Sequence, residues 1–106
     1  RRVTATEFLE AKAFREIAYR ALTEMFINYG TIITAASAGP APSSRETTGN
    51  PVFNAFWTYV GTPCITLPLL EADGMPLGVQ LVGARRDDAR LLRNARLFER
   101  QLAEMA

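Results

Sequence analysis

Two apolar runs separated by an Asp-Gly turn constrain this chain more than any other feature. Cys64-Ile65-Thr66-Leu67-Pro68-Leu69 and Leu77-Gly78-Val79-Gln80-Leu81-Val82-Gly83 are both short and rich in β-formers. Between them lies Ala72-Asp73-Gly74-Met75, whose Asp-Gly pair is a strong hairpin signal. The two runs are therefore expected to pair antiparallel. A third run, Thr31-Ile32-Ile33-Thr34-Ala35-Ala36, is β-branched, follows Gly30, and reads as a buried strand.

Helical patterns frame these strands. Thr4-Ala5-Thr6-Glu7 fits a capping box, in which Thr4 and Glu7 satisfy one another's amides. It opens a helix to Tyr29, with an apolar stripe at Phe8, Ala11, Phe14 or Ala18, Leu22, Met25 and Tyr29, and with Gly30 as its stop. Glu16 and Arg20 are expected to pair across one turn on the wet side. The run from Gly39 to about Gly49 holds two prolines and reads as an extended loop. Asn50-Pro51 then suits a helix start, and Val52, Phe53, Phe56, Trp57, Tyr59 and Val60 make that helix apolar on most sides and so buried. A last helix opens at Asp87 or Asp88 and carries Leu91, Ala95, Phe98, Leu102 and Met105 inward. The order points to an α/β fold, a sheet with helices packed on it, forming one unit over residues 1–106. Three strands make a poor sheet alone, and at least one edge is expected to lie open.

Composition excludes several functions. With 12 basic and 11 acidic residues the chain offers no field for nucleic acid or an anionic membrane, and no run approaches a membrane span. There is no histidine, and Cys64 is the only cysteine, so neither a His-assisted nucleophile nor a metal cluster is expected. The single cysteine and the absence of a secretory leader pattern favour a cytoplasmic setting, and the missing initiator methionine suits a fragment. No cofactor motif is found.

Four features remain as chemical candidates. Ser43-Ser44 sits beside proline with no base, Lys12 is mid-helix among Glu7, Glu10 and Glu16, and Cys64 has nothing nearby to lower its pKa. Each reads better as an ordinary loop, surface or core residue. Asn54, Trp57 and Tyr59 could line a pocket, because an aromatic helix leads through Gly-Thr-Pro into a strand mouth.

Together these motifs carry a resemblance. Residues 49–68, GNPVFNAFWTYVGTPCITLP, then 74–83, GMPLGVQLVG, resemble the C-terminal end of amidase signature enzymes. There a Phe-Asn helix leads into Gly-x-Pro, a strand ending in proline, a turn, and a Gly-(Leu/Met)-Pro-x-Gly-(Val/Leu)-Gln run before a Leu-Leu helix. Asp88, Leu91 and Leu92 stand where that helix is expected, and Tyr29 to Thr34 matches the preceding helix-to-strand passage, although an acidic residue is common where Gly30 stands. The resemblance implies a partial section of a larger α/β/α fold with a mixed sheet. It also implies a serine-type hydrolase of amide C–N bonds, with a nucleophilic serine, a bridging serine and a lysine base. None of that triad is carried here: no Gly-Gly-Ser-Ser-like segment exists, and Lys12 does not match the family lysine's setting.

The expected role is therefore structural, completing the sheet and one wall of the substrate pocket, with Asn54, Trp57 and Cys64 as substrate-binding candidates and no catalytic or metal residues. The partners implied are the N-terminal part of the same amidase and, in the whole enzyme, a small-molecule amide. An open edge also permits a homo-oligomer. Buried Gln80 is expected to find its hydrogen-bond partners in the absent part. The competing reading is a non-catalytic α/β interaction module from a truncated or split gene.

Overall fold

The computed structural model describes residues 2–105. Its elements run α1 (Ala5–Tyr29), β1 (Ile32–Ala35), α2 (Ala55–Val60), β2 (Cys64–Ala72), β3 (Met75–Val82) and α3 (Asp88–Met105). The three strands form one sheet in the order β1-β3-β2, with β3 antiparallel to both neighbours.

The hairpin forms where the Asp-Gly pair directs it. Asp73 and Gly74 both take positive φ, 53° and 73°, the double left-handed turn that matches strand twist. The strands reach further toward the turn than the apolar runs alone suggest, with Ala72 facing Met75. The register slips between Leu67 and Leu70, so that Pro68 and Leu69 oppose Gly78. A proline lacks the N–H for a ladder bond, and an edge-strand bulge is where it can sit. Gly78 has its own reason: a Cβ there would run into the Thr66 methyl and lie 3.0 Å from Ala36 Cβ.

The pleat sends alternate residues to two faces. On one, Ile65, Leu67 and Leu81 pack beneath Leu91, Ala95 and Phe98 of α3, which make the main core. Gly83 lets α3 close in, since a Cβ there would meet Leu91 at 3.2 Å. Asn94 Nδ2 donates to Thr31 Oγ1 at 2.7 Å and ties α3 to the start of β1. On the other face Thr34, Gln80 and Thr66 align across the three strands. Gln80, only 5% exposed, donates from Nε2 to Thr34 Oγ1 and to the Phe53 carbonyl, both at 3.2 Å. Its partners thus come from within the segment, correcting the expectation that they lie elsewhere.

The capping box at Thr4 forms as expected, with Thr4 N donating to Glu7 and Glu7 N to Thr4 Oγ1. The inward face of α1, however, is Ala18, Tyr19, Leu22 and Phe26, not the stripe through Phe8, Phe14 and Met25. Phe14 is 60% exposed. The helix is apolar on more than one side, so periodicity alone does not select the covered face. Glu16 pairs with Arg85 at 2.8 Å instead of Arg20. That arginine is the hub of this side. Its Nε and Nη2 donate to the Val60 carbonyl, its Nη1 to Glu16, its backbone N–H to the Tyr19 hydroxyl, and its guanidinium lies 4.0 Å from the Tyr19 ring centroid.

Two further expectations are corrected. β1 is an edge strand with Ile33 exposed, so it is not buried on both faces. α2 begins at Ala55, after a turn in which Asn50 Oδ1 accepts from Val52 N, and only Val60 is fully covered while Val52, Phe56 and Tyr59 stay exposed.

Candidate functional site

The candidate wall is built by α2 and the turn that follows it. Gly61 closes α2 in the left-handed conformation, φ 74°, with its N–H on the Trp57 carbonyl. Thr62 N also donates to that carbonyl at 3.3 Å, and Pro63 delivers the chain into β2. The Pro63 carbonyl accepts from Gly83 N at 3.0 Å, which joins the start of β2 to the end of β3.

Asn54 is exposed at the head of α2 and does not cap it. Its Nδ2 donates to the Ala36 carbonyl at 3.1 Å, so it bridges α2 to the loop after β1. Trp57, one turn on, is half-buried and meets Phe56 edge to face, with ring centroids 5.1 Å apart. Cys64 opens β2 with its Sγ 3.7 Å from the Thr62 carbonyl. Crowding around the thiol pushes its pKa up, and the Thr62 contact offsets this only in part. A thiol held protonated is a poor nucleophile. Cys64 is exposed, which corrects the expectation of a core position at the strand start. Asn54, Trp57 and Cys64 follow one another along a single connection, but they do not converge on one cavity.

A concavity lies elsewhere. A cleft of about 510 Å³ is bounded by Ser37, Gly39, Pro40 and Pro42 after β1, by Thr48 and Asn50, and by Pro76 at the head of β3. Sequence reasoning assigns this run to a plain loop. The one signal in it is the close pair of prolines, which stiffens a backbone enough to keep a cleft open. Ser37 Oγ donates to the Gly39 carbonyl at 2.7 Å, and Ser44 Oγ accepts from Glu46 N, so both hydroxyls serve loop geometry. Among the described residues no cluster of three or more His, Cys, Asp or Glu side chains could hold a metal ion, and no helix is long and apolar enough to cross a membrane.

No family model matches the chain. Individual proteins do. The glutamyl-tRNA(Gln) amidotransferase A subunit of Methanococcoides burtonii is 27% identical over 100 residues, covering 88% of this chain and 21% of that protein. Its namesake from Anaeromyxobacter dehalogenans is 31% identical over 107 residues, 92% of this chain and 22% of that protein. The crystal structure of the Thermotoga maritima namesake superposes with a TM-score of 0.69 at 26% identity, over 83% of this chain and 21% of that one. The chain thus spans about a fifth of the length of the relatives it matches. Motif order, sheet topology and these matches agree, and they are consistent with a C-terminal segment of an amidase signature enzyme.

Proposed function

We propose that this segment works as the closing section of a serine-type amidase that hydrolyses amide C–N bonds, with the nucleophile and base supplied by polypeptide outside these 106 residues. One observation carries the reading. The chain matches glutamyl-tRNA(Gln) amidotransferases over nearly all of its own length but only about a fifth of theirs, and it contains no Ser-Ser-Lys set. The unit 1–106 then supplies structure: β1, β3 and β2 extend a larger sheet, and Asn54, Trp57 and Cys64 line one side of the substrate pocket. Its partners are the N-terminal part of the same amidase and a small amide. The relatives' name, glutamyl-tRNA(Gln) amidotransferase, makes transfer of an amide nitrogen the neighbouring chemistry to test.

The experiment expresses the segment joined to its upstream region and follows ammonia release from primary amides. Activity is expected in the joined protein and none in the segment alone. Turnover by the segment alone overturns the proposal. Trp57→Ala in the joined protein is expected to raise KM several-fold with kcat less affected, since it removes uniform binding. An unchanged KM removes Trp57 from the pocket wall.

A further inference from the structure

A second cleft, of about 460 Å³, lies between α1 and α2 and is lined by Phe8, Ala11, Lys12, Arg15, Thr58 and Tyr59. We propose that it is a binding site for a small monocarboxylate with an aromatic body. The inference does not rest on the amidase reading, since none of Asn54, Trp57 and Cys64 lines this cleft.

The charge of the cleft is one-sided. Lys12 and Arg15 are three residues apart on α1 and so share a face, and no acidic side chain lines the cavity. Among the described residues neither cation has an ion-pair partner. The carboxylate next to Arg15 in sequence, Glu16, is committed to Arg85.

Arg15 also shows a specific need. Its Nε is buried and has no hydrogen-bond partner, whereas the buried amide of Gln80 is doubly bonded. Nε itself is closed to solvent, but the other N–H groups of the guanidinium are likewise unbonded among the described residues, and a carboxylate is the acceptor that matches that fork. Gly61 leaves room for the group: Arg15 Nη2 occupies the space a Cβ there would need.

The walls select the rest of the ligand. Phe8 and Tyr59 present rings, and Tyr59 is held in place because its hydroxyl donates to the Ala11 carbonyl. Thr58 adds one hydroxyl to the lining. The volume falls within the usual range for small-molecule clefts. Two cations and two rings in one cleft fit an arylalkanoate better than acetate or a neutral aromatic.

The test titrates the chain with phenylacetate, with its neutral isostere phenylacetamide, and with acetate, followed by calorimetry and by the NMR signals of the Arg15 Nε–H and Lys12. Phenylacetate is expected to saturate and to move both signals. Phenylacetamide and acetate are each expected to bind at least about tenfold more weakly, because one lacks the charge and the other lacks the ring. Arg15→Gln should weaken phenylacetate by about tenfold, and Lys12→Gln, at an exposed position, by a few-fold. The isostere comparison needs no variant, so it decides the matter even where Arg15→Gln fails to fold. Equal binding of amide and carboxylate overturns the proposal, as does absence of saturation at concentrations on the order of 50 mM.

Discussion

Arg85 shows how one side chain can hold a helix to a sheet that it scarcely touches. Its guanidinium joins the end of α2, through the Val60 carbonyl, to Glu16 on α1, while its backbone N–H reaches the Tyr19 hydroxyl. Replacing it with methionine keeps much of the stem but leaves the carbonyl of fully covered Val60 unpaired, so a loss of about 2–3 kcal/mol is expected in urea unfolding. The same interaction gives a pH dependence with a definite sign. The hydrogen bond from Arg85 holds the Glu16 carboxyl below its ordinary range. A carboxyl whose folded pKa is depressed contributes stability that is full above its unfolded pKa and lost as pH falls through the folded one. Carbon-detected NMR titration should therefore show the Glu16 carboxyl deprotonating below the ordinary carboxylate range, and Arg85→Met should move it back up toward that range. Sequence gives no sign of this pair, because 69 residues separate its members. The local Glu16–Arg20 spacing points to a nearer partner that the fold does not use.

Elements are legible in the sequence where local chemistry decides them and less so where packing does. The capping box, the Gly30 and Gly61 stops and the Asp73-Gly74 turn all appear as the residue pattern directs, because each depends on a few neighbouring dihedrals and hydrogen bonds. The covered face of α1 is not legible in this way, because Phe8, Phe14, Ile17, Met25 and Ile27 leave no polar side to exclude. Trp57 and Asn54 are legible as members of one connection, but the cleft beside the proline-rich loop depends on where β3 passes, which no local pattern states. Gly78 makes a sharp test at this scale. Its missing Cβ permits Thr66 and Ala36 to close over β3 at the bulge. Gly78→Val is expected to cost about 1–3 kcal/mol through forced displacement, despite valine's higher strand propensity. Thermal unfolding of this variant beside Gly74→Ala separates overpacking from backbone strain, since nothing stands near Gly74 and only its positive φ resists a side chain.

At the scale of the whole molecule, shape argues for a missing neighbour. The Cα radius of gyration is 16.4 Å and the slab is 17 Å thin, whereas a compact domain of this length has a radius of about 13 Å. The accessible surface is 8095 Å², against roughly 5,900 Å² for a compact monomer of this mass. The excess, about 2,200 Å² on one molecule, is the size of a large permanent interface. It is apolar in the places that matter: Phe14, Ile17, Ile27 and Tyr29 on α1, Ile33 on the β1 edge, and Phe56 on α2. The two edges of the sheet are not equivalent, because Pro68 and the bulge blunt β2 while β1 carries no proline and adjoins a hollow beside Leu97 and Phe98. Further strands are therefore expected to join at β1. The isolated chain should bind the dye ANS and self-associate with rising concentration, and joining it to its upstream region should abolish both. Ile33→Lys is expected to reduce association of the isolated chain several-fold, while Leu70→Lys on the β2 edge, equally exposed at 54%, should change it little. Light scattering of the two variants reads the difference, and equal effects would place the docking elsewhere than the β1 edge.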